Sequence, residues 1–209
     1  MSGEKFQNKY RIPSTRARWH DYNGGAYFIT IRTKNGEHFF GEIDIISNNA
    51  HTVETLHATS LRNEPTIQLT PIGQFLTKKI QEVTSHHPYA QIPLFVVMPN
   101  HWHAIVFIDR DNAVPVETLH ATSLQYEQSV KNQKMTEIAK RQSLLCVTLR
   151  GIKSAVTKFA NEKSSVFAWQ TRFHDHIIRD QYEMNRIAEY IENNPATWAN
   201  DCYNNDIMP

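Results

Sequence analysis

Residues 92–108 read IPLFVVMPNHWHAIVFI: two strongly apolar runs, Ile92 to Met98 and Trp102 to Ile108, parted only by Pro99-Asn100-His101. So short a connection between β-prone runs predicts an antiparallel hairpin. Both runs are apolar at nearly every position instead of alternating, which predicts strands covered on both faces in the middle of a sheet. Upstream, Ala26 to Thr33 (AYFITIRT) follows the turn Asn23-Gly24-Gly25 and reads as a strand, and Phe39 to Ile46 (FFGEIDII) reads as a second, edge strand. Ile72, Phe75, Leu76, Ile80 and Val83 keep helical spacing over 70–83, with Thr70 placed to cap and Pro71 suited to the first turn. Downstream, Leu145, Leu149, Ile152, Val156 and Phe159 predict a helix over about 136–160. A strand within 166–178 follows, and then a last helix from Asp180. Asp180 and Glu183 have capping-box spacing, Met184, Ile187, Ala188 and Ile191 form the apolar stripe, and Pro195 limits the helix. The order strand, helix, strand, strand, helix, strand, helix defines an α+β class: a ferredoxin-like antiparallel sheet with helices on one face and an added C-terminal helix.

The length, 209 residues, suits one domain spanning 1–209, with loop insertions near 47–69 and 110–134. A net charge of +1 excludes a molecule that binds polyanions over its whole surface, so affinity for nucleic acid must come from local patches. The segment 1–20 is one such patch, with Lys5, Lys9, Arg11, Arg16 and Arg18 against Glu4. Arg150, Lys153 and Lys158, off the apolar stripe of the second long helix, form another. Cys146 and Cys202 make no metal motif. No amino-terminal segment resembles a signal peptide and no apolar run is long enough to span a membrane, so a cytoplasmic protein without a membrane partner is expected. The nonapeptide VETLHATSL occurs twice, at 53–61 and at 116–124. Two copies are too few for a repeat fold. They are expected to be exposed loop insertions encoded by a DNA repeat, with His57 and His120 outside any metal site; the alternative is a recognition element used twice.

His101-Trp102-His103 puts two imidazoles on one face of a strand, because side chains at i and i+2 point the same way, and two imidazoles so placed can share one ion. With 11 histidines, about half a triplet of this form is expected by chance, and His174-Asp175-His176 is a second. Context favours the first for the metal, since it lies in the apolar hairpin. The second stands in a more polar segment and suits a surface or supporting role. Tyr190 and Asn194 are four apart on the last helix, so they share a face bordering its apolar stripe. A tyrosine beside a metal can act as nucleophile and an asparagine oxygen one turn on can be a ligand. A tyrosine at the core edge and an Asn-Asn-Pro helix stop are the plain alternative.

The stretch Pro99-Asn100-His101-Trp102-His103 resembles the histidine motif of the HUH single-tyrosine transposases, and within them the REP-associated tyrosine transposases. Further matches are Ser14-Thr15-Arg16, Asp21-Tyr22, residues 25–33, His38 to Glu42, Leu149 to Thr157, Trp169-Gln170, His176 to Arg179 and Asn185-Arg186-Ile187. The tyrosine-helix signature follows at Glu189-Tyr190-Ile191-Glu192-Asn193-Asn194-Pro195. The likeness covers most of residues 14–198 apart from the two insertions. It implies a ferredoxin-like fold with the tyrosine on the added helix and Tyr190 as nucleophile. His101, His103 and Asn194 would be ligands of Mg2+ or Mn2+, and the substrate would be single-stranded DNA bearing a palindromic hairpin. Asn194 stands where mobile relatives can carry Gln. His176 fits the family pattern and His174 does not.

The activity so implied is nicking and rejoining through a 5′-phosphotyrosine, transposase-like, with Mn2+ suiting imidazole ligands at least as well as Mg2+. Arg16, Arg18, Arg150, Lys153 and Lys158 would contact phosphates, and Trp102 or Trp169 would stack on bases. Tyr190 would serve its own subunit or its partner's in a homodimer. One alternative is a palindrome-binding protein that does not cut. Another, a metallohydrolase barrel, needs about 250 residues of regular βα repeats.

Overall fold

The computed structural model describes residues 20–44, 65–113, 142–163 and 166–204. Arg16, Arg18, the other basic residues of segment 1–20 and both nonapeptides lie outside the described residues. The elements run β1 (Gly25–Arg32), β2 (Gly41–Asp44), β3 (Thr66–Leu69), α1 (Pro71–Gln81), α2 (Val83–His86), β4 (Ala90–Val97), β5 (His101–Ile108), α3 (Leu144–Glu162), β6 (His174–Ile178) and α4 (Gln181–Asn193). The main sheet has strand order β4-β5-β1-β6, every pair antiparallel. Leaving β2 and β3 aside, this is the ferredoxin-like arrangement, with β5 and β1 in the middle.

Two strands depart from the sequence reading. The expected insertion at 47–69 ends in a strand: β3 pairs with β2 from Gly41↔Leu69 to Asp44↔Thr66 as a separate two-stranded sheet. The short Thr-Ile-Gln-Leu run alternates by half-burial only, a weak signal in sequence. In addition, β4 is at the sheet edge and only half-buried, although its residues are as apolar as those of β5. Pro93 has no N–H to give a ladder, and the register shifts between Gln91 and Leu94 around it, as an edge strand tolerates.

The helix caps explain the boundaries. Thr70 accepts the Gly73 N–H at 3.1 Å and Pro71 opens α1. Gly73 has no side chain because a Cβ there would run into the Phe40 carbonyl. The second long helix starts at Leu144 instead of near 136: Ser143 caps it through the Cys146 N–H. Asp180 accepts the Glu183 N–H at 2.8 Å and starts α4.

Because strand residues alternate, β1 and β5 show different chemistry on their two faces. Tyr27, Ile29, Ile31, Trp102, Ala104 and Val106 pack under α1 and α3, against Leu76, Ile80, Leu145, Leu149 and Val156. On the other face Ile105 and Ile178 receive Ile187 and Ile191 of α4, with Phe28, Leu94 and Val96 around them. At one end of this second face the apolar residues give way to Thr30, Arg32, His101 and His103. The register pairs Thr30 with His103 and Arg32 with His101.

Candidate functional site

His101 and His103, the first and third residues of β5, are both buried and their ring centroids stand 4.6 Å apart. Trp102 between them points into the opposite core and is fully buried, so it does not stack on bases. Trp169 is engaged as well. Its indole N–H donates to the Lys153 carbonyl and Thr157 hydroxyl, both at 3.1 Å, and its ring lies against Phe40 and Phe167.

Each imidazole is held at Nδ1. The Asn100 amide donates through Nδ2 to the carbonyls of Gly36 (3.1 Å) and Tyr203 (2.7 Å), which leaves its Oδ1 to accept from His101 Nδ1 at 2.8 Å. The proton of His101 is therefore on Nδ1, and Nε2 offers a lone pair. Thr30 Oγ1 meets His103 Nδ1 at 2.8 Å. Partners on the far nitrogen are how proteins orient imidazole ligands. Burial pushes both rings toward the neutral form. His101 is held well below the usual histidine range, with His103 and Arg32 adding to the burial effect. His103 is lowered to about 3 by burial and by His174.

Tyr190 comes to this pair from α4 of the same chain. Its hydroxyl is 3.3 Å from His103 Nε2, and its ring stands edge-on to His103 and Phe28. It is 43% exposed, enough for a large substrate to reach it. Burial of the hydroxyl, with Asp201, Cys202 and Tyr203 behind it, raises its pKa to about 12, while a hydrogen bond from Asn194 works the other way. Asn194, at the end of α4, is buried and its Oδ1 has no hydrogen-bond partner among the described residues. Nε2 of His101 is likewise buried without a hydrogen-bond partner among the described residues.

Sequence reasoning missed Asp201. After α4 the chain makes a 3-10 turn, Pro195–Asn200, and folds back over the histidines. One ligand atom each from His101, His103 and Asp201 lie within 4.8 Å of one another, and the group can hold a divalent metal ion. The Tyr203 ring lies 4.7 Å from that of His101. Neither residue has a periodicity to betray it, since both follow a helix stop. Thr30 and Arg32 did leave a trace, as two polar residues at alternate positions of an otherwise apolar strand.

The basic ridge is elsewhere. Arg150, Lys153 and Lys158 belong to α3, on the face of the sheet opposite Tyr190. Arg150 and Lys158 are exposed. Lys153 is half-buried, donates to the Gln170 carbonyl at 3.1 Å and sits over Trp169, and burial lowers its pKa. It braces the β1–α3 layer. The second triplet lies on the edge strand β6. His174 is exposed in line with Thr30 and His103, and His176 Nε2 is 2.6 Å from the Glu183 carboxylate.

Fold and site together define an α+β protein with a buried His-His-Asp group and an accessible tyrosine at its rim. A protein of Haemophilus influenzae, itself uncharacterised, is 30% identical over 191 residues, covering 90% of each chain, and this chain belongs to its family. No family profile matches. Among solved structures, the chain is similar to a REP-associated tyrosine transposase bound to a REP hairpin, at 18% identity and a TM-score of 0.45 over 88% of this chain and 74% of that one. It is similar also to a candidate transposase of Deinococcus radiodurans, at 12% identity and a TM-score of 0.34 over 86% and 97%. Among the described residues no helix is long and apolar enough to cross a membrane.

Proposed function

We propose that this chain is a metal-dependent nuclease and strand transferase of single-stranded DNA bearing a hairpin, transposase-like, with Tyr190 as its nucleophile. The carrying observation is the Tyr190 hydroxyl, 3.3 Å from His103 Nε2 at the open edge of a buried donor cluster. The donor set fits a divalent ion, because His101 Nε2 and Asn194 Oδ1 are buried lone-pair atoms that nothing among the described residues satisfies. His101, His103 and Asn194 would hold Mg2+ or Mn2+, which when bound neutralises charge on the non-bridging oxygens of the scissile phosphate.

The chain's own groups do the rest. Tyr190 Oη bonds to phosphorus as its proton passes to solvent, the P–O3′ bond breaks, and the 3′-oxygen leaves as a hydroxyl once protonated. The resulting 5′-phosphotyrosine keeps the energy of the phosphodiester, so a 3′-hydroxyl can reverse the step. A phenolate is a better leaving group in that reversal than an alkoxide. Phe28 and His103 set the direction of the tyrosine ring, and Asn194 favours its ionised form.

The test uses single-stranded DNA from the gene's flanks that contains inverted repeats, incubated with Mn2+ and run on a denaturing gel. Wild type should give a covalent protein–DNA adduct. Tyr190→Phe, lacking only the phenolic oxygen, should give none while still binding the hairpin. An adduct with the Phe variant would move the nucleophile to another residue, and no cleavage by wild type of any hairpin would leave the palindrome-binding alternative standing.

A further inference from the structure

Resting on that metal-dependent reading, we propose that Asp201 is itself a ligand of the divalent ion, so that the segment following α4 closes the metal site from outside the sheet. Asp201 Oδ2 lies 3.8 Å from His101 Nε2. That is too long for a hydrogen bond. It is also the wrong chemistry for one: with its proton on Nδ1, fixed by Asn100, the ring presents a lone pair to a carboxylate oxygen. Two acceptors that face each other in a buried place repel unless a cation lies between them. The Asp201 side chain is 3% exposed and that of His101 is 0% exposed, so water does not screen the pair. Two ligands about 2.1 Å from one ion, at tetrahedral or cis octahedral angles, stand about 3.0–3.4 Å apart, so the observed 3.8 Å gap needs about 0.4–0.8 Å of closure.

The carboxylate is aimed and not merely nearby. Its Oδ1 accepts the Tyr203 N–H at 2.7 Å, which turns Oδ2 toward the histidines. The segment is tied to the sheet by the Tyr203 carbonyl, which accepts from Asn100 Nδ2 at 2.7 Å and from Arg32 Nη2 at 3.3 Å. Asn100 thus orients His101 and anchors the Asp201 segment through one amide. A carboxylate among two imidazoles and an amide oxygen makes the set harder, in favour of Mn2+ or Mg2+ over softer ions, and lowers the charge of the loaded centre by one.

The experiment measures Mn2+ binding to the full chain without DNA, by calorimetry and by the electron paramagnetic resonance signal of free Mn2+. Circular dichroism checks the fold of each variant. Asp201→Ala should weaken Mn2+ at least about tenfold, the lower end of what even an indirect partner of a metal site carries. Mn2+ should slow amide exchange in 196–203 of the wild type and not in the variant. Should the Ala variant fail to fold, Asp201→Asn keeps an acceptor for the Tyr203 N–H and should show the weakening. Wild-type affinity in a folded Asp201 variant, with His101→Ala unable to bind, overturns this inference and leaves the metal reading intact. Unchanged affinity in His101→Ala as well overturns the metal reading itself.

Discussion

Two His-x-His triplets of identical spacing lie two strands apart on the same face of the same sheet, and the structure treats them differently. His101 and His103 begin an interior strand, are buried, and are each gripped at Nδ1 by a polar neighbour. His174 and His176 lie on the edge strand β6. The first is exposed, and the second is spent on Glu183, whose carboxylate also accepts the Arg179 N–H at 3.0 Å. That clasp fastens β6 to the start of α4, the helix that presents Tyr190. Spacing gives two rings a common direction. Burial and a fixed tautomer are what leave the His101 Nε2 lone pair free for a cation, while His103 Nε2 faces the Tyr190 hydroxyl.

The sharpest way to break this comparison is to exchange the fates of the triplets. His101→Ala or His103→Ala should lower Mn2+ affinity at least about a hundredfold, since each deletes a direct ligand where even indirect partners carry ten- to a hundredfold. His174→Ala should leave the affinity within about twofold. Calorimetric titration of the three variants checks this. Loss in the His174 variant alone would make the edge triplet the metal site.

Acid tests the interior triplet next. The folded state keeps His103 neutral down to about pH 3, whereas an unfolded histidine protonates near pH 6.5. Protons then bind preferentially to the unfolded chain, so stability is fully present above about pH 6.5 and falls as pH drops toward 3. His101 is shifted the same way. Each ring can contribute up to about 1.4 kcal/mol per pH unit in that window. Urea melts of the metal-free protein at pH 7 and pH 5 should show the loss, and His101→Ala should flatten it. An unaltered slope in that variant would mean the interior ring is not kept neutral.

The smallest effect belongs to the clasp. His176→Ala should lower the thermal midpoint by only about 2–4 °C, because the contact is partly solvent-screened. It should loosen the start of α4, seen as faster amide exchange at 181–184. An unchanged midpoint and exchange would make His176 a bystander.

How much of this was legible depends on where each residue sits. The hairpin, the added helix and its Asp180 cap could be read because period, turn and cap agree there. The edge position of β4 could not, since an apolar composition looks the same at the edge and in the middle and only the pairing partner tells them apart. The start of α3 was set too early, because Ser143 marks it by a single side-chain bond that no periodicity reflects. At the site, His101, His103, Tyr190 and Asn194 sit on regular elements and follow their spacing. Asp201 and Tyr203 arrive by the path of a tail after a helix stop, which pattern does not constrain. Arg150 and Lys158 were readable as exposed, but not as lying behind the sheet from Tyr190.

The turn at Met98–Asn100 has a consequence for how such a chain can change by insertion. It closes tightly, Met98 N–H donating to the His101 carbonyl at 2.8 Å, while the carbonyls of Pro99 and Asn100 accept from Phe40 and Thr33. One added residue here would slip β5 against β1 and turn every side chain over. Trp102 would then face α4, and the two imidazoles would be sealed beneath α1 and α3. An added residue in an ordinary surface loop costs little, but here a single codon would trade the whole site for an indole.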